Sequence, residues 1–313
     1  MINTHLADLV VSRLCLGTMY FGTSVSVKAS RELLDTFVNA GGNFIDTANK
    51  YACWLPGAQG GESELLIGQW LRDRGHRHRL VIATKIGLAM PGVEAGLRAP
   101  QIEAQCEASL RRLGIETIDV MYAHADDRTT PLEESLLAFT RLQKAGKIRH
   151  VGASNYTAWR LAAAAAVSRH LDIPGFVVAQ VRHSLLRADP WIPQEFPIQV
   201  PATPELLDGC ENLGLRVLAY SPLLGGVYDR QDRPLPPSYR TLANERRLVS
   251  IRRMARDRGV TANQLALAWL MSARHEVIPV ITASRTEQLI ENLNSLAITM
   301  TRSEGDALDT ASD

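Results

Sequence analysis

The sequence predicts a closed (β/α)8 barrel of the TIM class, with eight parallel strands ringed by helices and extended loops at the C-terminal face, on three observations. Eight short β-rich runs alternate with longer helical patterns along the 313 residues. The runs are too continuously apolar to leave a face in water, which is the mark of parallel strands covered by helices. The first run leads into GTMYFG, which lacks the G-x-G-x-x-G spacing of a nucleotide-binding turn and so disfavours the runner-up, a doubly wound open sheet.

In order, the strands are RLCLG (13–17), NFIDTA (43–48), LVIATK (80–85), IDVMYAH (118–124), RHVGAS (149–154), FVVAQV (176–181), LRVLAYS (215–221) and VIPVIT (277–282). Helices are expected over 29–40, 62–72, 100–113, 132–145, 158–169, 204–212, 243–258 and 286–294, the alanine run 162–166 lying inside one of them. Several stop at a glycine, Gly41, Gly114, Gly146, Gly214 and Gly259, where a left-handed residue without a Cβ closes the last turn at least cost. One domain over 1–313 accommodates all of this, since α/β barrels run to 250 residues or more as one unit. Two connections are long: 53–61 (CWLPGAQGG) and the proline- and charge-rich 225–239. Both follow strand ends, so both overhang the mouth as candidate substrate wall and cofactor lid. A third irregular stretch, 187–204, carries five prolines and Trp191 and shapes the same mouth.

Composition excludes several classes. Apolar residues make up 46% of the chain and the net charge is +1, so no polyanion-binding surface and no nucleic-acid partner are indicated. No stretch reaches the roughly 20 apolar residues that span a bilayer, and the N-terminus lacks a basic segment followed by a sustained apolar one, so a cytoplasmic location is expected. Cys15, Cys53, Cys106 and Cys210 are scattered without a C-x-x-C pair and read as reduced thiols, Cys53 as an inert one. No metal is expected, because the eight histidines form no H-E-x-x-H or carboxylate-backed cluster. His76 and His78 fall in the basic turn RDRGHRHR, on the face opposite the mouth, and the acidic pair Asp126 and Asp127 reads as hydrated loop carboxylates.

Chemistry concentrates in Asp46, Tyr51, Lys85 and His124, at or just past the ends of three successive strands. Strand ends converge on one face of a barrel, which gathers a carboxylate, a phenol, an ammonium and an imidazole. That set suits protonation of the alkoxide formed when a carbonyl is reduced. A phenol near pKa 10 is a reluctant donor, and Lys85 is expected to lower that value while Asp46 holds the ammonium and His124 fixes the substrate oxygen.

The motifs carrying these residues, LCLGTMYFG (14–22), DTANKY (46–51), ATK (83–85), LRRLGIETIDVMYAHADD (110–127), GKIRHVGASNY (146–156) and AYSPLLGG (219–226), together with Gln288 and Asn292, occur in the order found in aldo-keto reductases, which the chain resembles over essentially its whole length. The resemblance implies a catalytic tetrad of Asp46, Tyr51, Lys85 and His124 and a nicotinamide cofactor in the mouth. It implies that Gly17, Thr18, Met19 and Asp46 lie beside the cofactor, that Ser154, Asn155 and Gln180 bind the carboxamide, and that Tyr220 stacks on the ring. Ser221, Leu223 and Gly225 match pyrophosphate positions. Ser284 and Arg285 match those near a 2′-phosphate, and Gln288 and Asn292 those near the adenine. Because an arginine fork suits a phosphate, the resemblance favours NADP(H). Arg182 and His183 stand where many members carry a tyrosine–asparagine pair, and Thr282 where many carry glycine, which crowds the phosphate approach. Met19, Tyr20, Trp54, Arg182 and Trp191 are the expected substrate wall. The expected function is NADPH-dependent reduction of an aldehyde or ketone, with Tyr51 as general acid. The alternative is a cofactor-sensing regulatory subunit, like the potassium-channel β-subunits that share the fold. The physiological carbonyl and the stereochemistry are not legible, and a homo-oligomer is left open.

Overall fold

The computed structural model describes residues 1–194, 196, 198–272, 275 and 277–311; of the proline-rich stretch 187–204, Glu195 and Pro197 lie outside the described residues. Among the described residues ten strands are formed: β1 (Asn3–Leu6), β2 (Leu9–Ser12), β3 (Cys15–Gly17), β4 (Phe44–Asp46), β5 (Val81–Ile86), β6 (Ile118–Ala123), β7 (Ile148–Ser154), β8 (Val178–Arg182), β9 (Arg216–Tyr220) and β10 (Ile278–Ile281). The last eight close a barrel in the order β10-β3-β4-β5-β6-β7-β8-β9, every neighbouring pair parallel. The chain is therefore a (β/α)8 barrel.

The helices α1 (Val27–Asn39), α2 (Glu62–Arg74), α3 (Ala99–Leu113), α4 (Leu132–Lys144), α5 (Ala158–His170), α6 (Pro204–Asn212), α7 (Leu242–Asp257) and α9 (Thr286–Asn294) fall where the pattern places them. α1 starts early because the Ser26 side chain accepts from the Ala29 amide. Gly114 takes a left-handed φ of 63° as the C-cap of α3.

Four elements, two of them paired as a hairpin, are additions to the pattern expected from sequence. β1 and β2 form an antiparallel hairpin, Asn3 opposite Ser12 and Leu6 opposite Leu9. α8 (Ala262–Ser272) stands with α7 between β9 and β10, so the strict one-helix-per-strand alternation fails there. α10 (Arg302–Asp309) is capped by a Thr301–Glu304 box and lies against α7.

Two apolar clusters follow from the closed sheet. The larger lies between strands and helices and includes Leu33, Phe37, Trp70, Phe139, Leu265 and Leu270. The smaller fills the barrel: Phe44, Val81, Val120, Val178, Leu218 and Ile278 point inward, with Leu6, Leu9 and Val11 of the hairpin packed among them. The hairpin thus stoppers one end. The turn Arg77–Arg79 precedes β5 at that same end, where Arg77 pairs with Asp119 at 2.8 Å, so the basic turn is remote from the mouth as expected.

Candidate active site

Asp46 ends β4, Lys85 is next to last in β5, His124 follows β6, Ser154 ends β7, Gln180 lies in β8 and Tyr220 ends β9. Six neighbouring strands therefore deliver their terminal polar side chains to one face. Register holds them level, with Lys85 opposite Tyr122 and Ser154 opposite Gln180.

Lys85 and Asp46 are both buried and joined by a hydrogen-bonded ion pair. The remaining two protons of the ammonium go to the Thr47 carbonyl at 2.8 Å and the Tyr51 hydroxyl at 2.6 Å. Tyr51 in turn donates to Asp46 Oδ1 at 3.3 Å, and Gln180 Nε2 donates to Asp46 Oδ2 at 2.8 Å. A buried charge pair costs desolvation unless its remaining hydrogen-bonding capacity is satisfied, and here it is. The Tyr51 ring meets the His124 ring edge-on, centroids 6.1 Å apart at 79°.

The segment after β4 that carries Tyr51 is anchored to β5 and α3. The Asn49 amide donates to the Lys85 carbonyl at 3.1 Å and its Nδ2 to Gln105 Oε1 at 2.9 Å. Beneath it, Ser63 Oγ donates toward Thr18 while accepting from Thr47 Oγ1 at 2.9 Å. Thr47 and Ser63 escaped the sequence reading. A backbone carbonyl holding a lysine leaves no residue-type signal.

Electrostatics departs from expectation at one point. Burial, then the neighbouring Asp46 carboxylate, push the Tyr51 phenol well above its ordinary pKa. The expected lowering by Lys85 is overturned for this state of the site, because burial disfavours the phenolate most and the Asp46 carboxylate's charge reaches the phenol as well. Burial lowers the Lys85 pKa, with Asp46 opposing that shift. His124 is driven well below the usual histidine range by burial and then by the Lys85 charge, so it is a neutral imidazole at pH 7; its Nδ1 makes no hydrogen bond among the described residues.

Around this centre, Asn155 adopts a left-handed φ of 59° and is fully engaged: Nδ2 donates to the His124 carbonyl and to Ser154 Oγ at 3.0 Å, while Oδ1 accepts from the Tyr220 hydroxyl at 2.7 Å. Gly17 sits where an added Cβ would meet Val280 Cγ1 at 2.9 Å and Thr282 Cγ2 at 3.1 Å. Ser221 (φ 52°) and Gly225 (φ 74°) turn the chain just past β9. Leu223 is partly buried in the same turn. At the start of α9, Ser284 bonds Gln288 Oε1 through its amide and hydroxyl at 3.0 Å, Arg285 is the exposed N-cap, and Asn292 Nδ2 reaches back to the Thr282 carbonyl at 3.3 Å.

Met19 and Tyr20 lie on the loop after β3, and Tyr20 stacks edge-on with Trp54 at 6.4 Å. Trp191 is 90% exposed, and Arg182 lines a cleft that none of the four central residues lines. Asp127 is a loop organiser: burial would raise its pKa, but hydrogen bonds from Thr129, Thr130 and the Leu97 amide outweigh that and hold it far below the carboxylate range. Asp126 pairs with Arg160 at 2.8 Å. Among the described residues no three His, Cys, Asp or Glu converge as metal ligands, and no helix is long and apolar enough to cross a membrane.

The parallel barrel thus presents at one face a buried lysine–carboxylate pair hydrogen-bonded to a phenol. The chain belongs to the aldo/keto reductase family, which it matches over residues 13–313, and is an oxidoreductase of that family. It is 32% identical to norsolorinic acid reductase stcV of Emericella nidulans, over 97% of this chain and 79% of that protein. It is 31% identical to the uncharacterized oxidoreductase YrpG of Bacillus subtilis, over 93% and 89% respectively. A probable voltage-gated potassium channel subunit beta of Oryza sativa subsp. japonica is 29% identical over 95% of this chain and 90% of its own.

Proposed function

We propose that this chain is a cytoplasmic, NADPH-dependent reductase of aldehyde or ketone carbonyls in which Tyr51 is the general acid. The observation that carries the reading is the Asp46–Lys85–Tyr51 chain, with Lys85 Nζ 2.6 Å from the Tyr51 hydroxyl at the barrel mouth.

The residues present fit a nicotinamide dinucleotide. Ser154 and the second amide atom of Gln180 remain for a carboxamide, whereas Asn155 is committed to its neighbours and acts by holding Tyr220 and the His124 backbone. Glycines 225 and 226, both at positive φ, allow close approach of phosphate to backbone, and exposed Arg285 at the α9 N-terminus offers a cation to a 2′-phosphate. When bound, the cofactor supplies the hydride. Tyr51 must swing its proton from Asp46 Oδ1 to the substrate oxygen, and Lys85 stabilises the phenolate left behind. Neutral His124 donates one ring N–H to that same oxygen and fixes its angle. Tyr20 and Trp54, an exposed edge-on pair, form an aromatic wall with Met19 for the rest of the substrate.

The test is a fluorescence titration with NADPH and NADH, on the native chain and on Arg285→Ala, followed by NADPH oxidation with aromatic, sugar and short aliphatic carbonyls. Tight NADPH binding, weakened in the variant, with turnover of at least one carbonyl class is the expected result. Binding without turnover by any class would instead favour the sensor reading, for which the likeness to the rice channel subunit is the supporting observation. Failure to bind either nucleotide would overturn both.

A further inference from the structure

A cleft of about 820 Å3 opens between the loop after β8, the turn Pro237–Tyr239, α8 and α10. That is ample for a small molecule. Asp46, Tyr51, Lys85 and His124 do not line it; Arg182, His183, Arg187, Tyr239, Trp269 and Thr301 do. Arg182 is only 6% exposed, yet among the described residues no carboxylate pairs with it. Its Nη1 donates to Gln199 Oε1, its Cζ lies 5.1 Å from the Tyr239 ring centroid, and its Nε makes no hydrogen bond.

A guanidinium cannot shed its proton to escape burial. An amide oxygen and a ring face offset the lost hydration only in part, and a buried cation without an anion is costly. Neither acidic side chain on the same wall pairs with it: Asp309 pairs with Arg187 at 3.3 Å, and the exposed Asp306 stands 4.0 Å from Arg302. The Arg182 backbone is pinned by its amide to the Val200 carbonyl at 3.0 Å and by its carbonyl to the Ala202 amide at 2.8 Å, while Gln199 and the Tyr239 ring hold the guanidinium.

We propose that this cleft, lined by none of the four central residues, is an oxyanion-binding site in which Arg182 grips the carboxylate or phosphate of a small ligand. The Arg182 Nε–H is left without a partner among the described residues, and a planar guanidinium is the group that meets two oxygens of such an anion side by side. His183, neutral and beside Trp269 with ring centroids 5.8 Å apart, supplies a further N–H at the edge of the cleft.

Isothermal calorimetry with malonate and with inorganic phosphate, against sodium chloride at matched ionic strength, tests this on the full chain and on Arg182→Gln, Arg182→Lys and Arg285→Ala. Saturable binding of one or both probes is expected, with the responding arm naming the carboxylate or phosphate source. Arg182→Gln should weaken it by about tenfold or more, the scale of a lost charged hydrogen bond. Arg182→Lys, which keeps the charge and loses the fork, should weaken it less, and Arg285→Ala should leave the Arg182-dependent binding unchanged. No heat beyond the chloride control would overturn the proposal. So would equal binding by Arg182→Gln and native chain, or loss of binding in Arg285→Ala alone, which would assign the anion to the mouth.

Discussion

At the scale of single residues, the phenol of Tyr51 is the group on which the proposed chemistry turns. Phenylalanine at this position keeps the ring against His124 and removes the hydroxyl that joins Lys85 to substrate. Tyr51→Phe is expected to lower kcat for carbonyl reduction by about 10²–10⁴-fold, the usual worth of a positioned general acid, with nucleotide affinity nearly unchanged. Steady-state kinetics beside a nucleotide titration reads both. A second residue makes a prediction about pH. Burial, then the charges of Arg187 and His275, push the His183 pKa down to about 4 from an ordinary 6.5. Between those values the unfolded chain takes up a proton that the folded chain refuses, so stability is full above pH 6.5 and falls as pH drops toward 4. From pH 7 to 5 the loss from this residue is about 2 kcal/mol. His124, shifted the same way, adds to it. Urea unfolding at the two pH values should show the loss, and His183→Phe should reduce it; an unchanged slope would remove His183 as its source.

Elements reveal what pattern reading captures and what it passes over. Asp46, Lys85 and His124 were legible because strand ends are marked by a change from apolar run to polar residue, and a barrel turns that position into convergence. Helices with a clear apolar stripe and a glycine stop, such as α3 and α4, were legible for the same kind of reason. α8 was not: its Leu265, Ala266, Leu267, Ala268 and Leu270 are buried on every side, so no stripe separates it from a strand-like run. The strands of the hairpin are four residues each, too short for alternation to register. Composition gave no hint of the phenol's raised pKa either, because burial and the closeness of the Asp46 carboxylate are properties of packing. Packing also fixes Gly68, in the middle of α2, where sequence rules would favour alanine. A Cβ there would meet the Arg112 and Leu113 carbonyls of α3 at 2.4 and 2.7 Å. Better helix propensity is worth at most about 1 kcal/mol, and overpacking against backbone that cannot yield costs about 1–3 kcal/mol. Gly68→Ala is therefore expected to lower the unfolding free energy, as a shifted denaturation midpoint at unchanged slope. A gain in stability would mean that α2 and α3 separate more readily than their contact implies.

For the whole molecule, the barrel divides its labour between two ends. The mouth carries the ionisable centre, and the far end is closed by the hairpin, whose Leu6 and Val11 are fully buried against the inward-facing layer of Phe44, Val81 and Val178. In such barrels chemistry sits at the C-terminal face, while the opposite face contributes stability. The two should then be separable by mutation. Leu6→Ala removes a buried side chain from the stopper and leaves a cavity that the closed sheet cannot easily collapse, a change that costs about 2–5 kcal/mol. The variant is expected to unfold at lower denaturant and temperature than the native chain. Assayed well below its melting point, with active sites counted by nucleotide titration, it should turn over a carbonyl substrate at the native kcat and KM. Tyr51→Phe should show the opposite emphasis, turnover lost far out of proportion to any change in stability, the latter limited to the hydrogen bonds its hydroxyl makes to Lys85 and Asp46. If Leu6→Ala altered KM or kcat per site, strain at the stopper would be reaching Asp46 and Lys85 through the strands, with β4 and its inward-facing Phe44, two residues before Asp46, as the connecting element.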